Sequence, residues 1–207
     1  ALMVVNKLLD YLRFGELAGL AISDIDDQDN LDKMFSYINR GLKKINSELS
    51  LTEASETFTL VTDVVSYQLA DPLLLRIKSA YDQLGAELSL NIESDFRSVV
   101  VSNYNTVSFI GHRDNTENTV TSISILYLKD FEEITDEDDV VPISDGLVEV
   151  LVNYVAYLAH GSINMSEGSS AYKYQTQYEV ELGKARKFGY KTGLFNNIDK
   201  LRERGFA

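Results

Sequence analysis

A chain of 207 residues with 44% hydrophobic content is long enough to bury a sizeable core, which excludes a disordered tail protein. Its formal charge of −13 opposes phosphate binding over most of the surface, because nucleic-acid affinity depends on Lys and Arg replacing condensed counterions. Cysteine is absent, which removes disulfides, thiolate metal sites and cysteine nucleophiles, and no window approaches the roughly 18 consecutive apolar residues of a membrane span.

The opening stretch ALMVVNKLLDYLRF lacks the basic region and cleavage pattern of a signal peptide, so synthesis in the cytoplasm is expected. Within it Val4, Leu8, Leu9, Tyr11 and Leu12 predict a short helix ending near Gly15, while ELAGLAISDIDDQ after it has no assignable pattern. In DNLDKMFSYINRGLKKINSELSL, Leu31, Met34, Phe35, Ile38, Leu42, Ile45 and Leu49 recur at spacings of three and four. That is an amphipathic helix, with Asp29 or Asn30 as its expected N-cap. From Thr57 the character changes: FTLV and SYQL, joined by Thr62-Asp63, read as two strands of a hairpin. LLLRIKSAYDQLGAELSLNI reads as two extended segments about a turn at Asp82 to Gly85. VVVSNYNTVSFIG and TVTSISILYL add further strands, the second alternating Ile123, Ile125 and Tyr127 against Ser122 and Ser124.

Pro142 then stops any preceding regular structure, and Ser144 is placed to cap a helix through about His160. Leu147, Leu151, Tyr154, Val155 and Leu158 form one face of it, but Val148, Val150, Val152 and Tyr157 leave few polar positions opposite, so burial on more than one side is expected. A second helix from near Glu167 carries Ala171, Tyr174, Tyr178, Leu182 and Ala185 at helical spacing, and the short connection makes the two antiparallel neighbours. The expected fold class is α+β, mainly helical: an antiparallel helix core formed by both ends of the chain, residues 1–56 and 140–183, with an inserted β-rich block at 57–133 and a C-terminal arm at 184–207.

No catalytic, cofactor or metal site is expected. The acidic run DFEEITDEDD looks like a cation site, but the calcium loop needs a Gly at its sixth position and a Glu at its twelfth; counted from Asp136 these are Val141 and Leu147. DIDDQDN fails likewise, with Asp29 and Phe35 there when counted from Asp24. Both runs read as solvated connectors, the first with Val140, Val141 and Pro142 anchoring the entry to the helix. His112 and His160 are the two imidazoles, one in a loop-like GHRDNTEN and one in the last turn of a helix, where a cation suits the dipole. No nucleophile elbow, zinc-binding helix or phosphate loop is present. Glu93 and Asp95 are a possible carboxylate pair, though they sit in what reads as a surface turn.

Two regions read as contact surfaces. Tyr154, Tyr157, Tyr172, Tyr174 and Tyr178 gather on the helical pair, and Tyr is favoured where subunits meet. From Lys184 onward there are seven basic and two acidic side chains, so the preceding 183 residues carry −18. This tail interleaves cations with apolar groups: Arg186, Lys187, Phe188, Tyr190, Leu194, Phe195, Leu201, Arg202, Arg204 and Phe206. It is either a strap on its own domain or an arm that docks on another subunit.

Taken in order, INRGLKKINSELSL, the extended VSYQLADPLLLRIKSAYDQLGAELSLN, the strands, VVPISDGLVEVLVNYVAYLAHG and SAYKYQTQYEVELGKA resemble the head-to-tail adaptor proteins of tailed bacteriophages, over residues 29 to 188. The resemblance implies a non-enzymatic virion protein without cofactors. Its copies, usually twelve, would form a homo-oligomeric ring between the portal protein and a tail or nozzle protein, with DNA passing through unbound and no membrane contact. It further implies a ring built from the helices, a tail-facing β block, and an arm from Lys184 reaching the portal. The acidity suits a channel that must not hold DNA: about twelve copies at −13 sum to roughly −156, screened beyond ~8 Å. Two other classes fit the composition, a virion-associated peptidoglycan hydrolase using paired carboxylates and an acidic cytoplasmic binding module.

Overall fold

In the computed structural model, which describes residues 3–61, 63–92, 95, 97–109, 120–163 and 169–189, the first and last parts of the described chain are helical and the middle is stranded. The division is into two units, Ala1–Leu51 with Phe131–Ala207 and Thr52–Asp130, each with its own apolar core. The fold class is α+β.

The helical unit contains α1 (Val5–Phe14), a 3-10 turn at Ala21–Ser23, α2 (Gln28–Leu49), a second 3-10 turn at Asp145–Leu147, α3 (Val148–Gly161) and α4 (Ser170–Lys187). Helix α1 buries Val5, Leu8, Leu9 and Leu12 completely; Val5 takes the place expected of Val4, which is 40% exposed, and Tyr11, also expected, is 51% exposed. Helix α2 likewise buries Met34, Ile38, Leu42, Ile45 and Leu49. Its N-cap is Asp27 rather than Asp29 or Asn30: the Asp27 carboxylate accepts the Asp29 N–H at 3.0 Å. Asn30 instead donates to the carbonyls of Ala21 and Asp24, holding the preceding turn. At the other end Ser50 is left-handed (φ 53°), and the fully buried Asn46 accepts the Leu51 N–H at 3.0 Å.

Helix α3 is buried nearly all round, with Val150, Leu151, Val152, Val155 and Ala156 each at most 1% exposed. The expected Ser144 cap is not made. Ser144 precedes the 3-10 turn, its hydroxyl caps nothing, and the α-helix begins at Val148. Helix α4 starts at Ser170, later than expected, where Ser169 Oγ accepts the Tyr172 N–H. Tyr154 meets Tyr178 and His160 meets Tyr174, so α3 and α4 run antiparallel. Where α2 crosses α3, a Cβ on Gly41 would lie 2.6 Å from Leu151 Cδ1 and 3.3 Å from Tyr154 Cδ1, so the absent side chain sets the approach.

The β-rich unit holds β1 (Glu53–Thr59), β2 (Ser66–Gln68), β3 (Leu74–Asp82), β4 (Glu87–Leu88), β5 (Val99–Asn103), β6 (Thr106–Phe109) and β7 (Ser122–Lys129). They form an antiparallel sheet ordered β1-β7-β3-β4 and a second ordered β2-β6-β5. The expected hairpin across Thr62-Asp63 is therefore absent: β1 pairs with β7 and β2 with β6, in different sheets. A Thr-Asp link lacks the Asn-Gly or Asp-Gly chemistry of a two-residue turn. The connection is instead a loop clasped by Tyr67, whose hydroxyl accepts the Val61 N–H and donates to the Val64 carbonyl. β1 also begins at Glu53, ahead of the expected Thr57. The turn after β3 is where its sequence places it: Asp82 Oδ1 accepts the N–H groups of Leu84 and Ala86, and Gly85 takes φ 79°. Alternation in β7 is as read, with Ile123, Ile125 and Tyr127 buried.

Candidate functional site

The acidic segment is fixed in place rather than a free hinge. The Asp139 carboxylate accepts the N–H groups of Thr135 and Asp136, and the Asp136 carboxylate accepts that of Asp138. Two of its carbonyls, those of Glu137 and Asp139, accept the first N–H groups of α1 from Asn6 and Val5. Asn39 on α2 clamps Ile134, donating to its carbonyl and accepting its N–H, both at 2.9 Å. Ile134, Val141 and Ile143 supply the apolar anchors, whereas Val140, expected among them, is 47% exposed. Glu132, Glu133 and Asp138 are left facing solvent. Among the described residues no cluster of His, Asp and Glu could hold a metal ion, and no helix is long and apolar enough to cross a membrane.

The tyrosines divide. Tyr154, Tyr157 and Tyr178 meet between α2, α3 and α4, with Tyr154 5.0 Å from Tyr178 and 5.9 Å from Tyr157 between ring centroids. They line an open cleft of about 430 Å³ together with Lys44, Glu48, Gln175, Glu179, Leu182 and Arg186. Glu48 holds two cations at its edge: Lys44 Nζ at 2.9 Å and the Arg186 guanidinium. The hydrogen bond from Lys44 lowers the Glu48 pKa, and the same bond raises that of Lys44. Tyr178 is 6% exposed, and its hydroxyl is buried without a hydrogen-bond partner among the described residues. Burial, reinforced by the nearby Glu48 charge, raises its pKa and keeps it a neutral donor.

Tyr174 lies elsewhere. Its hydroxyl donates to the Glu16 carboxylate, its ring stacks on His160 at 5.0 Å, and His160 Nε2 is 3.0 Å from the Glu16 carbonyl. Burial and the Glu16 bond push the Tyr174 pKa up to about 12. Tyr172 is 51% exposed and does not line the cleft. Of the arm, Arg186 is tied to Glu48, Lys187 is exposed and Phe188 is 77% exposed. Tyr190, Leu194, Phe195, Leu201, Arg202, Arg204 and Phe206 lie outside the described residues, as do His112 and Glu93. Lys44 and Glu48 were missed as site residues, although their i,i+4 spacing on a helix was a legible signal.

A family model described as SU10 adaptor protein matches residues 12–193. Comparison with curated protein sequences gives no match. Among solved structures, a chain of "Neck of empty GTA particle computed with C6 symmetry" aligns over 84% of this chain and 88% of its own, at 12% identity and a TM-score of 0.31.

Proposed function

Because this chain belongs to the SU10 adaptor protein family and is a structural head-to-tail adaptor, we propose that its copies form a ring in the virion neck, joining the portal to the tail and lining part of the DNA channel. The observation that carries this reading is the family match, which spans both the helical and the β-rich unit. About twelve copies form the ring, with no enzymatic step and no cofactor. The helical unit builds the ring, the β-rich unit faces the tail, and the basic arm from Lys184 docks on the portal, where its charge suits an acidic or polar partner surface. Of the tyrosines expected at contacts between copies, the open cleft supports that reading for Tyr154, Tyr157 and Tyr178, while Tyr174 is engaged by Glu16 within its own chain.

The test is mass determination in solution, by native mass spectrometry or light scattering, for the protein alone and after mixing with a purified portal ring. A ring, or a monomer that adds to the portal in about twelve copies, is expected. A folded protein that neither self-associates nor binds the portal would overturn the proposal and favour a stand-alone binding module.

A further inference from the structure

Among the described residues the two sheets have four edges, and three of them are closed to further pairing. β4 is two residues long, and beyond it β3 is broken by register shifts between Leu74 and Arg76 and between Ile77 and Ser79. β2 is three residues long. β5 is covered by the segment before it: the Val99 N–H donates to the Ser89 carbonyl at 2.8 Å, the Asn91 N–H donates to the Val99 carbonyl at 3.0 Å, and Asn91 Oδ1 accepts the Val101 N–H at 2.7 Å. Short, bulged or covered edges resist the addition of a strand.

β1 is the exception. It pairs with β7 over seven residues without a register shift, and it contains no Pro, Lys or Arg. The Leu60 N–H donates to the Thr121 carbonyl and the Lys129 N–H to the Thr52 carbonyl, so the alternation of an antiparallel ladder turns the even-numbered residues toward β7. Glu53, Ser55, Thr57 and Thr59 therefore direct their N–H and C=O groups the other way, where these groups have no partner among the described residues. The two carboxylates of the strand do not guard this edge, because Glu53 is bound to Lys78 and Glu56 accepts the Ala70 N–H. Ser55, Thr57 and Thr59 are exposed on one face, while Ala54 and Phe58 pack on the core from the other. An added strand would continue a hydroxyl row on one side and an apolar row on the other.

The remaining edges of this chain are too short, broken or covered to fill that position in a neighbouring copy. β1 against β1 would be an isologous contact, which joins two copies and does not propagate round a ring. Residues 52–130 also carry eleven carboxylates against five cations, a balance that draws a basic segment and repels an acidic one. Resting on the ring and tail-facing reading above, we propose that β1 is a docking edge, to which a tail-side protein adds an extended basic segment with apolar side chains at alternate positions. Main-chain hydrogen bonds hold the added strand, and its apolar side chains beside Ala54 and Phe58 fix its register.

Two substitutions at Thr57 test it, because the Thr57 N–H points away from β7. Thr57→Pro removes that donor without breaking the β1–β7 ladder, so circular dichroism and urea unfolding should show a folded chain. Thr57→Val keeps the donor, and both variants lose the hydroxyl contact with Ser124, so the difference between them reports the main chain. In co-sedimentation of the portal-bound ring with purified tails of the same phage, Thr57→Pro should bind at least ten-fold more weakly than the wild type and Thr57→Val within two-fold of it. If Thr57→Pro does not fold, Ser55→Lys with Thr59→Lys blunts the edge from its exposed face and should weaken binding as much. Amide hydrogen exchange is the second readout: tail binding should slow Glu53, Ser55, Thr57 and Thr59 at least ten-fold and leave Ala54, Glu56 and Phe58, already bonded to β7, nearly unchanged. Tail binding by Thr57→Pro equal to the wild type, loss of binding by Thr57→Val, or no slowing at the alternate amides overturns strand addition while the ring stands. Slowing of the same amides on self-assembly without tails assigns the edge to a second copy and overturns the proposed partner. A ring that forms on the portal and binds no tail overturns this inference alone, whereas a folded chain that forms no ring and binds no portal removes the ring reading and this inference with it.

Discussion

A single side-chain amide, that of Asn39, holds the acidic segment on α2 by satisfying both backbone groups of Ile134. Asn39→Ala leaves both without that partner, and at about 1 kcal/mol per hydrogen bond the helical unit should lose about 2 kcal/mol. Urea unfolding measures the loss, and faster hydrogen exchange at the Ile134 amide locates it. Buried hydroxyls set the alkaline limit of the molecule. Tyr174 is pushed up to about 12 by burial and by Glu16, and Tyr127 in the β-rich unit up to about 12 by burial and then by its bond to Asp71. In the unfolded chain both ionise near pH 10. Their folded values are raised, so the stability they contribute is complete below about pH 10 and is lost as pH rises toward about 12, by up to ~1.4 kcal/mol per pH unit for each hydroxyl. Denaturant unfolding across that range should show the decline, and Tyr174→Phe or Tyr127→Phe should flatten it. None of these pairings was legible in the sequence, because Asn39 and Ile134 are 95 residues apart and Glu16 and Tyr174 are 158 apart. The cap of α2 was legible to within a few residues: Asp27, Asp29 and Asn30 all have capping chemistry, and Asp27 is the one whose backbone is extended (φ −84°, ψ 118°) just before the helix.

Among the elements, α2 and α3 are locked by the absence of a side chain. Gly41→Leu would drive its branch into Leu151 and Tyr154 and should destabilise the helical unit by about 3 kcal/mol, read as a lower urea midpoint with helical content retained below it. Gly41→Ala should cost less, because the better helix propensity of Ala, by up to about 1 kcal/mol, offsets part of the displacement of Leu151. Helices α1, α2, α3 and α4 could all be read from periodicity, since their apolar stripes face one shared core and local pattern and tertiary burial agree. The strands were harder. β3, the turn at Asp82 and the alternation in β7 followed from local chemistry, but the hairpin of β1 with β2 did not form. β1 found its partner in β7, more than sixty residues on, because β7 offers a seven-residue register with Ile123, Ile125 and Tyr127 buried on one face. A sheet's pairing depends on long-range burial that no local window contains.

At the scale of the whole molecule, the position of the arm decides how function can be separated from folding. The helical core extends to Ala185, which is 3% exposed, and Arg186 is bound to Glu48, so a cut before Lys184 would remove part of α4 itself. Truncation after Gly189 is the cleaner experiment: circular dichroism and urea unfolding should show the core still folded, while portal binding measured by co-sedimentation should fall below detection if the arm is the docking element. Several properties followed from the sequence by itself. They are the α+β class, the helical ends around a stranded middle, the acidity, the absence of thiol chemistry and the adaptor resemblance, because each depends on composition, local periodicity or the order of segments along the chain. Only the tertiary structure decided which strands pair, that the acidic run is clamped rather than loose, and that three of five tyrosines share a cleft with Lys44, Glu48 and Arg186. These depend on contacts between residues far apart in sequence, whose free energy comes from joint burial and from hydrogen bonds that exist only once the chain has closed on itself.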